Sequence, residues 1–165
     1  MREWGEELAG QPYGKRTTTA LRPVLERWMR RKRKPFIFRL TQVFTGHGYF
    51  GDYLCRTARR EPGRGCHECG AAVDSAQHTR EVCPRWAVQR QDLVAALSGV
   101  DLSLSSIAEK MLESDRSWLA VSSFCETVMS TKEASELEKE DAADAPSLRR
   151  RRMGVRRRRY LQRFQ

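Results

Sequence analysis

Cys66, Cys69, His78 and Cys83 stand in C-x2-C-x8-H-x4-C order. A segment that must bring these four side chains to one point cannot run through the window as an uninterrupted helix or strand. Two thiols separated by two residues grip one ion from a tight turn, and an imidazole and a third thiol from a following short turn complete a tetrahedron. Tetrahedral sulfur and nitrogen donors select zinc over harder cations. The array therefore reads as a CCHC zinc knuckle, against the alternative of free thiols and a bystander histidine. Gly65 and Gly70 bracket the first pair, where the backbone turns to aim both sulfurs inward. Asp74, four residues before His78, is placed to accept the spare imidazole proton or to cap the turn that holds it. His67 lies between two ligands and is expected to point away. Four protein ligands leave no position for an activated water, so one structural Zn2+ is expected.

The remaining composition fits a small domain around this clamp. Of five cysteines, only Cys55 and Cys125 lie outside the array, which argues against a disulfide framework and for a reducing compartment, nuclear or cytoplasmic. No apolar run approaches the length of a membrane span. With 39% hydrophobic and 32% charged residues in 165, the chain supports short helical packings more readily than one large core.

Helical spacing recurs along the chain, and no alternating pattern competes with it. The fold class expected is mainly α: short helices around the knuckle, with a disordered N-terminal arm and a basic C-terminal tail. Residues 1–16 read as an irregular arm. Residues 17–60 form a helical segment in which Thr18 or Thr19 caps a helix carrying Leu21, Leu25, Trp28 and Met29, followed by a turn at Thr45-Gly46-His47-Gly48. Residues 61–100 hold the knuckle and a helix that Pro84 opens and Gly99 ends. Residues 101–130 read as a helical hairpin with caps at Ser103 and at Ser114 or Asp115, and with Cys125 on an apolar face. Residues 131–165 are an acidic then arginine-rich tail, disordered or helical when bound.

Charge is unevenly placed. The net charge is +10, and the nine arginines after Leu148 leave the rest of the chain near neutral. Six acids against Lys139 occupy the segment from Glu133 to Asp144 just before them. Arginine clusters attract polyanions by counterion release and bidentate phosphate contact, whereas a solvated charge block needs no partner. The candidate nucleic-acid contacts are Arg30, Arg31, Lys32, Arg33 and Lys34 at a helix end, Arg85 and Trp86 beside the last ligand, and Arg149, Arg150, Arg151, Arg152, Arg156, Arg157, Arg158 and Arg159 in the tail. Trp86 either stacks on a base or packs against Leu93 as a core residue.

The chain has no phosphate-cradling glycine loop and no H-E-x-x-H, and neither Cys55 nor Cys125 has a sequence-near histidine to single it out as a nucleophile. An enzyme is not expected. The run from Leu40 to Leu54 with its Thr45-Gly46-His47-Gly48 core, followed by Cys66-His67-Glu68-Cys69, Asp74, His78 and Cys83-Pro84-Arg85-Trp86 with Arg90 and Leu93 downstream, resembles the C-terminal region of the reverse-transcriptase polyprotein of non-LTR retrotransposons, particularly arthropod type-1 elements. The resemblance covers about a third of the chain. It implies a C-terminal piece that grips RNA or DNA, with the remainder of the polyprotein as a second partner and no membrane. The Y/F-x-D-D turn of the polymerase does not occur in the sequence, so the resemblance implies no polymerase activity for this chain alone.

Overall fold

The computed structural model describes residues 13–31, 36–143 and 148. All regular structure among these residues is helical. Eight α-helices succeed one another among the described residues: α1 (Lys15–Leu21), α2 (Leu25–Arg30), α3 (Phe38–Thr45), α4 (Gly51–Arg56), α5 (Ala76–Glu81), α6 (Ala87–Ala96), α7 (Leu104–Glu113) and α8 (Asp115–Asp141). Short 3-10 turns precede α2 at Arg22–Val24 and α6 at Pro84–Trp86, each with a proline in its first positions, where the missing N–H is not needed. No described helix is long and apolar enough to cross a membrane.

Local chemistry sets most of the boundaries. Ser103 and Ser114 each accept the backbone N–H three residues on and so cap α7 and α8. Gly46, with φ of 76°, closes α3 in the left-handed conformation. After α6 the chain reverses through Ser98 and Gly99, both at positive φ. The first helix starts earlier than Thr18: Gly14 occupies its N-cap position, and Arg22–Val24 interrupts the apolar run where Pro23 removes a donor.

α8 is the spine. It packs against α3, α6 and α7, and α7 in turn covers α1. Between them Trp28 lies 5.5 Å from Trp118 and 6.1 Å from Phe44, with Phe36 edge-on to both Trp28 and Phe44. Such offset and edge-on ring pairs add roughly 0.5–1.5 kcal/mol each beyond the area they bury. Cys125 is buried within the same core, as its apolar face suggested.

The tail boundary expected after residue 130 is not a structural boundary. α8 runs through it to Asp141 in one uninterrupted helix. Its inward stripe starts apolar with Trp118, Val121, Cys125 and Val128, and continues at the same spacing as Lys132, Glu136 and Glu140, all buried. Charged side chains hold this position because charged partners face them. Glu140 pairs with Arg60, and Glu133 accepts from Arg39 and, at 2.7 Å, from the Tyr49 hydroxyl.

Candidate metal centre

The knuckle begins as a turn held by its own backbone. The Gly70 N–H donates to the Cys66 carbonyl and the Cys66 N–H to the Ala71 carbonyl, both at 2.8 Å, with Gly70 at φ of 77°. A side chain at Gly70 would be strained by that conformation. Across from the turn, α5 presents His78 from its first turn, and the Cys83 N–H donates to the His78 carbonyl at 2.8 Å. The third thiol is thus tied to the helix that carries the imidazole.

The four ligand atoms all lie within 4.8 Å of one another. Cys66 Sγ and Cys83 Sγ are 3.9 Å apart, and Cys69 Sγ is 3.3 Å from His78 Nε2. For ligands about 2.3 Å (sulfur) and 2.0–2.1 Å (nitrogen) from a tetrahedral centre, the corresponding edges are about 3.8 Å and about 3.6 Å. The cluster can hold one metal ion with little rearrangement. No disulfide competes for its thiols, since all five cysteines are free.

Backbone amides aim at the sulfurs. The backbone amides of Glu68 and Cys69 favour the Cys66 thiolate, that of Ala71 the Cys69 thiolate and that of Arg85 the Cys83 thiolate. Burial nevertheless pushes the Cys66 thiol up to about 12, with the Asp74 charge adding to it, and burial also raises Cys83. Cys69, at the surface, is lowered, first by the Ala71 amide. With two buried thiols and amides that favour thiolates, the four groups lie close enough to hold a cation.

Asp74 does not serve His78. The helix cap is Ser75, whose hydroxyl accepts the His78 N–H at 3.0 Å. The Asp74 carboxylate turns inward, where it accepts from Thr79 Oγ1 at 3.1 Å, from the Gly51 N–H at 3.0 Å and from Lys132 Nζ at 2.8 Å. Both side chains of the Asp74–Lys132 pair are only 4% exposed. Lys132 carried no sequence signal: it is a lone lysine in a polar stretch, and only the fold brings it to Asp74.

The same junction joins the Leu40–Leu54 run to the knuckle at Gly51 and Asp52. A Cβ on Gly51 would sit 2.5 Å from the Gly65 carbonyl oxygen and 3.0 Å from that of Arg64, so the two backbones meet where only glycine fits. The Asp52 N–H donates to the Asp74 carbonyl at 2.9 Å, and the Asp74 N–H to the Arg64 carbonyl at 2.7 Å. The two sequence motifs form one packed unit. Arg90 closes it from α6 by donating to the Cys83 carbonyl, beside a buried Leu93 on the same helix.

The other site candidates fall into three groups. Trp86 is 1% exposed and packs in the core, so base stacking by its ring is excluded: the helix opened by Pro84 turns it inward beside Leu93. Arg85 stays at the surface, its guanidinium 4.9 Å from the Trp86 ring centroid and 3.7 Å from Glu68. Arg30 is exposed and pairs with Glu26 at 2.6 Å, while Arg31 lies over the Trp28 ring at 4.5 Å and bonds the Trp28 carbonyl. Lys32, Arg33, Lys34 and the arginines from Arg149 to Arg159 lie outside the described residues. His67 stands apart from the cluster and meets Glu61 at 3.1 Å.

Comparisons of the chain with protein-family models, with curated proteins and with solved structures return no match.

Proposed function

We propose that the chain is a zinc-stabilised module that binds single-stranded nucleic acid, and that it corresponds to the C-terminal region of a non-LTR retrotransposon reverse-transcriptase polyprotein. One observation carries the metal half of this reading: three thiols and an imidazole converge within 4.8 Å of one another, with the Cys66–Cys83 sulfurs 3.9 Å apart, near a tetrahedral edge. That donor set favours Zn2+, and four protein ligands make its role structural. Cys66, Cys69, His78 and Cys83 hold the ion, Arg90 and the surrounding amides orient them, and the ion supplies folding energy rather than chemistry.

The nucleic-acid half rests on charge. The chain carries 31 lysines and arginines against 21 acids, and the acids of α8 from Glu133 to Glu140 are engaged largely with the fold. Arg30 and Arg85, whose acid partners Glu26 and Glu68 leave them at the surface, and the arginine runs at 149–152 and 156–159 of the sequence are the groups assigned to phosphates in this reading. The order of the T-G-H-G segment and the knuckle supports the retrotransposon reading, and the close packing of the Leu40–Leu54 run on the knuckle at Gly51 gives a physical reason for the pair to occur together.

Purified protein is expected to contain about one zinc per chain and to bind single-stranded RNA or DNA with an affinity that falls steeply with salt. Cys69→Ser should lower the zinc content. Full zinc retention by that variant, or salt-independent binding, would remove the corresponding half of the proposal, and primer extension by the chain alone should be blank.

A second reading, a helical module that packs on the polymerase body without touching nucleic acid, is favoured by Val88 on α6 and Leu119 on α8, which are 65% and 68% exposed. Loss of a polymerase-body contact in Leu119→Ser, with no oligonucleotide binding by the parent, would select it.

A further inference from the structure

The T-G-H-G segment has no part in holding the metal, and it borders a cleft of about 450 Å³. Four rings line this cleft: Phe38 at the start of α3, His47 and Tyr49 in the turn, and Tyr53 on α4. His47 and Tyr53 are already stacked, 4.8 Å apart and 30° from parallel. Phe38 is 69% exposed, an unusual state for a phenylalanine at the mouth of a cleft.

The turn is built to hold this shape. Gly46 and Gly48 both have positive φ, and a Cβ on Gly48 would come within 2.8 Å of Gln42 Nε2 and 3.1 Å of Met129 Cε. Tyr49 is anchored through its hydroxyl to Glu133 on α8. The cleft wall is therefore fixed to the spine of the molecule.

Its two threonine hydroxyls, the Gln42 side-chain oxygen and the Tyr49 hydroxyl are spent within the fold. Thr41 Oγ1 donates to the Ile37 carbonyl, Thr45 Oγ1 to the Thr41 carbonyl while accepting the His47 N–H, and Gln42 Oε1 accepts from Arg39. What the cleft offers a ligand is ring faces rather than a hydrogen-bond code. Stacking of that kind tolerates any base, because each has a π-face.

Charge at the rim suits a polyanion. Arg59 lies between two residues that line the cleft, Ala58 and Arg60, and is exposed; Arg56 is exposed on the same helix end, with Asp52 4.0 Å away. Arg60 is the exception, since it is paired with Glu140.

We propose that this cleft takes one unstacked base of a single-stranded polynucleotide between Phe38 and the His47–Tyr53 stack, without sequence preference, while Arg56 and Arg59 contact the flanking phosphates. This rests on the nucleic-acid reading of the chain and locates it at a site away from the metal. A free planar metabolite is the competing occupant; the rim arginines favour the polymer.

The test compares a single-stranded DNA 12-mer carrying one central 2-aminopurine with an abasic deoxyribose-phosphate strand of the same length, on zinc-loaded full-length protein. The expected result is quenching of 2-aminopurine on binding, at least ten-fold weaker binding of the abasic strand, and loss of both differences in Phe38→Ala and His47→Ala. Both substituted side chains are exposed, and circular dichroism would verify that the fold is kept. Equal affinity for the two strands without quenching overturns the cleft proposal and leaves phosphate binding standing. Failure of both strands to bind overturns the nucleic-acid reading and the cleft proposal together. Quenching by free 2-aminopurine riboside at the same concentration as by the strand overturns the polymer as occupant.

Discussion

Asp74 and Lys132 carry more of this structure than residues of their type usually do. Removing two charges from water costs several kcal/mol per ion, which the attraction between them offsets only when the remaining bonding capacity is filled. Here it is filled on the carboxylate side, by the Gly51 amide and the Thr79 hydroxyl. Lys132→Ala would leave the buried Asp74 carboxylate without its cation. The expected loss is about 3–5 kcal/mol in urea unfolding. The double variant Asp74→Asn with Lys132→Met removes both charges while keeping the amide and hydroxyl partners, and is expected to recover most of that loss. A double variant as unstable as the single one would show that the ion pair is not what the site needs. Lys132 Nζ also lies 5.8 Å from the Phe50 ring, a contact that methionine retains in apolar form.

At the scale of elements, the legible parts of the fold were those with local causes. The caps at Ser103 and Ser114, the stop at Ser98–Gly99, the turn at Gly46 and the inward Cys125 all arise from side-chain chemistry within a few residues. The knuckle was legible for the same reason, its ligands being set by spacing. The second half of α8 was not, because its buried face is written in Lys132, Glu136 and Glu140, which read as a solvated segment until Asp74, Arg60 and their neighbours are seen opposite them. Trp86 was open between two readings, and the packing of α6 decides it. One helix end keeps a residue that local chemistry disfavours. Arg59 comes after α4 at φ of 53°, where the Arg60 N–H reaches back to the Leu54 carbonyl at 2.8 Å. A non-glycine residue there costs about 1–2 kcal/mol, and glycine returns about 0.5–1 kcal/mol of that through its freer unfolded chain. Arg59→Gly should therefore raise stability by about 0.5–1 kcal/mol in thermal or urea melts. The same variant is expected to bind single-stranded oligonucleotide more weakly, so that stability and affinity move in opposite directions.

For the whole molecule the consequence is a linkage between metal and spine. The knuckle holds Asp74, Asp74 holds Lys132, and Lys132 sits at the junction between the apolar and the charged halves of α8. Loading requires deprotonated sulfurs, yet burial keeps Cys66 neutral up to about 12 and raises Cys83 when no cation is present. The two states then respond to pH with opposite sign. In the metal-free fold the thiol favours its neutral form more strongly than in the unfolded chain, so the stability it contributes is complete below the ordinary thiol value and is lost as pH rises from about 9 toward 12. In the loaded fold protons compete with the metal for the sulfurs and the imidazole, so stability falls on acidification. Melting temperature measured from pH 5 to pH 10, with and without chelator, should give a loaded curve that drops on the acid side and a chelated curve that lies below it at neutral pH and drops further on the alkaline side. Hydrogen exchange under chelation would place the change: amides from Lys132 to Asp141 should lose protection together with the knuckle, while Trp118 to Met129, packed on α3, α6 and α7, keep theirs. Uniform loss along α8 would mean that the helix is one cooperative unit and that the Asp74–Lys132 pair does not divide it.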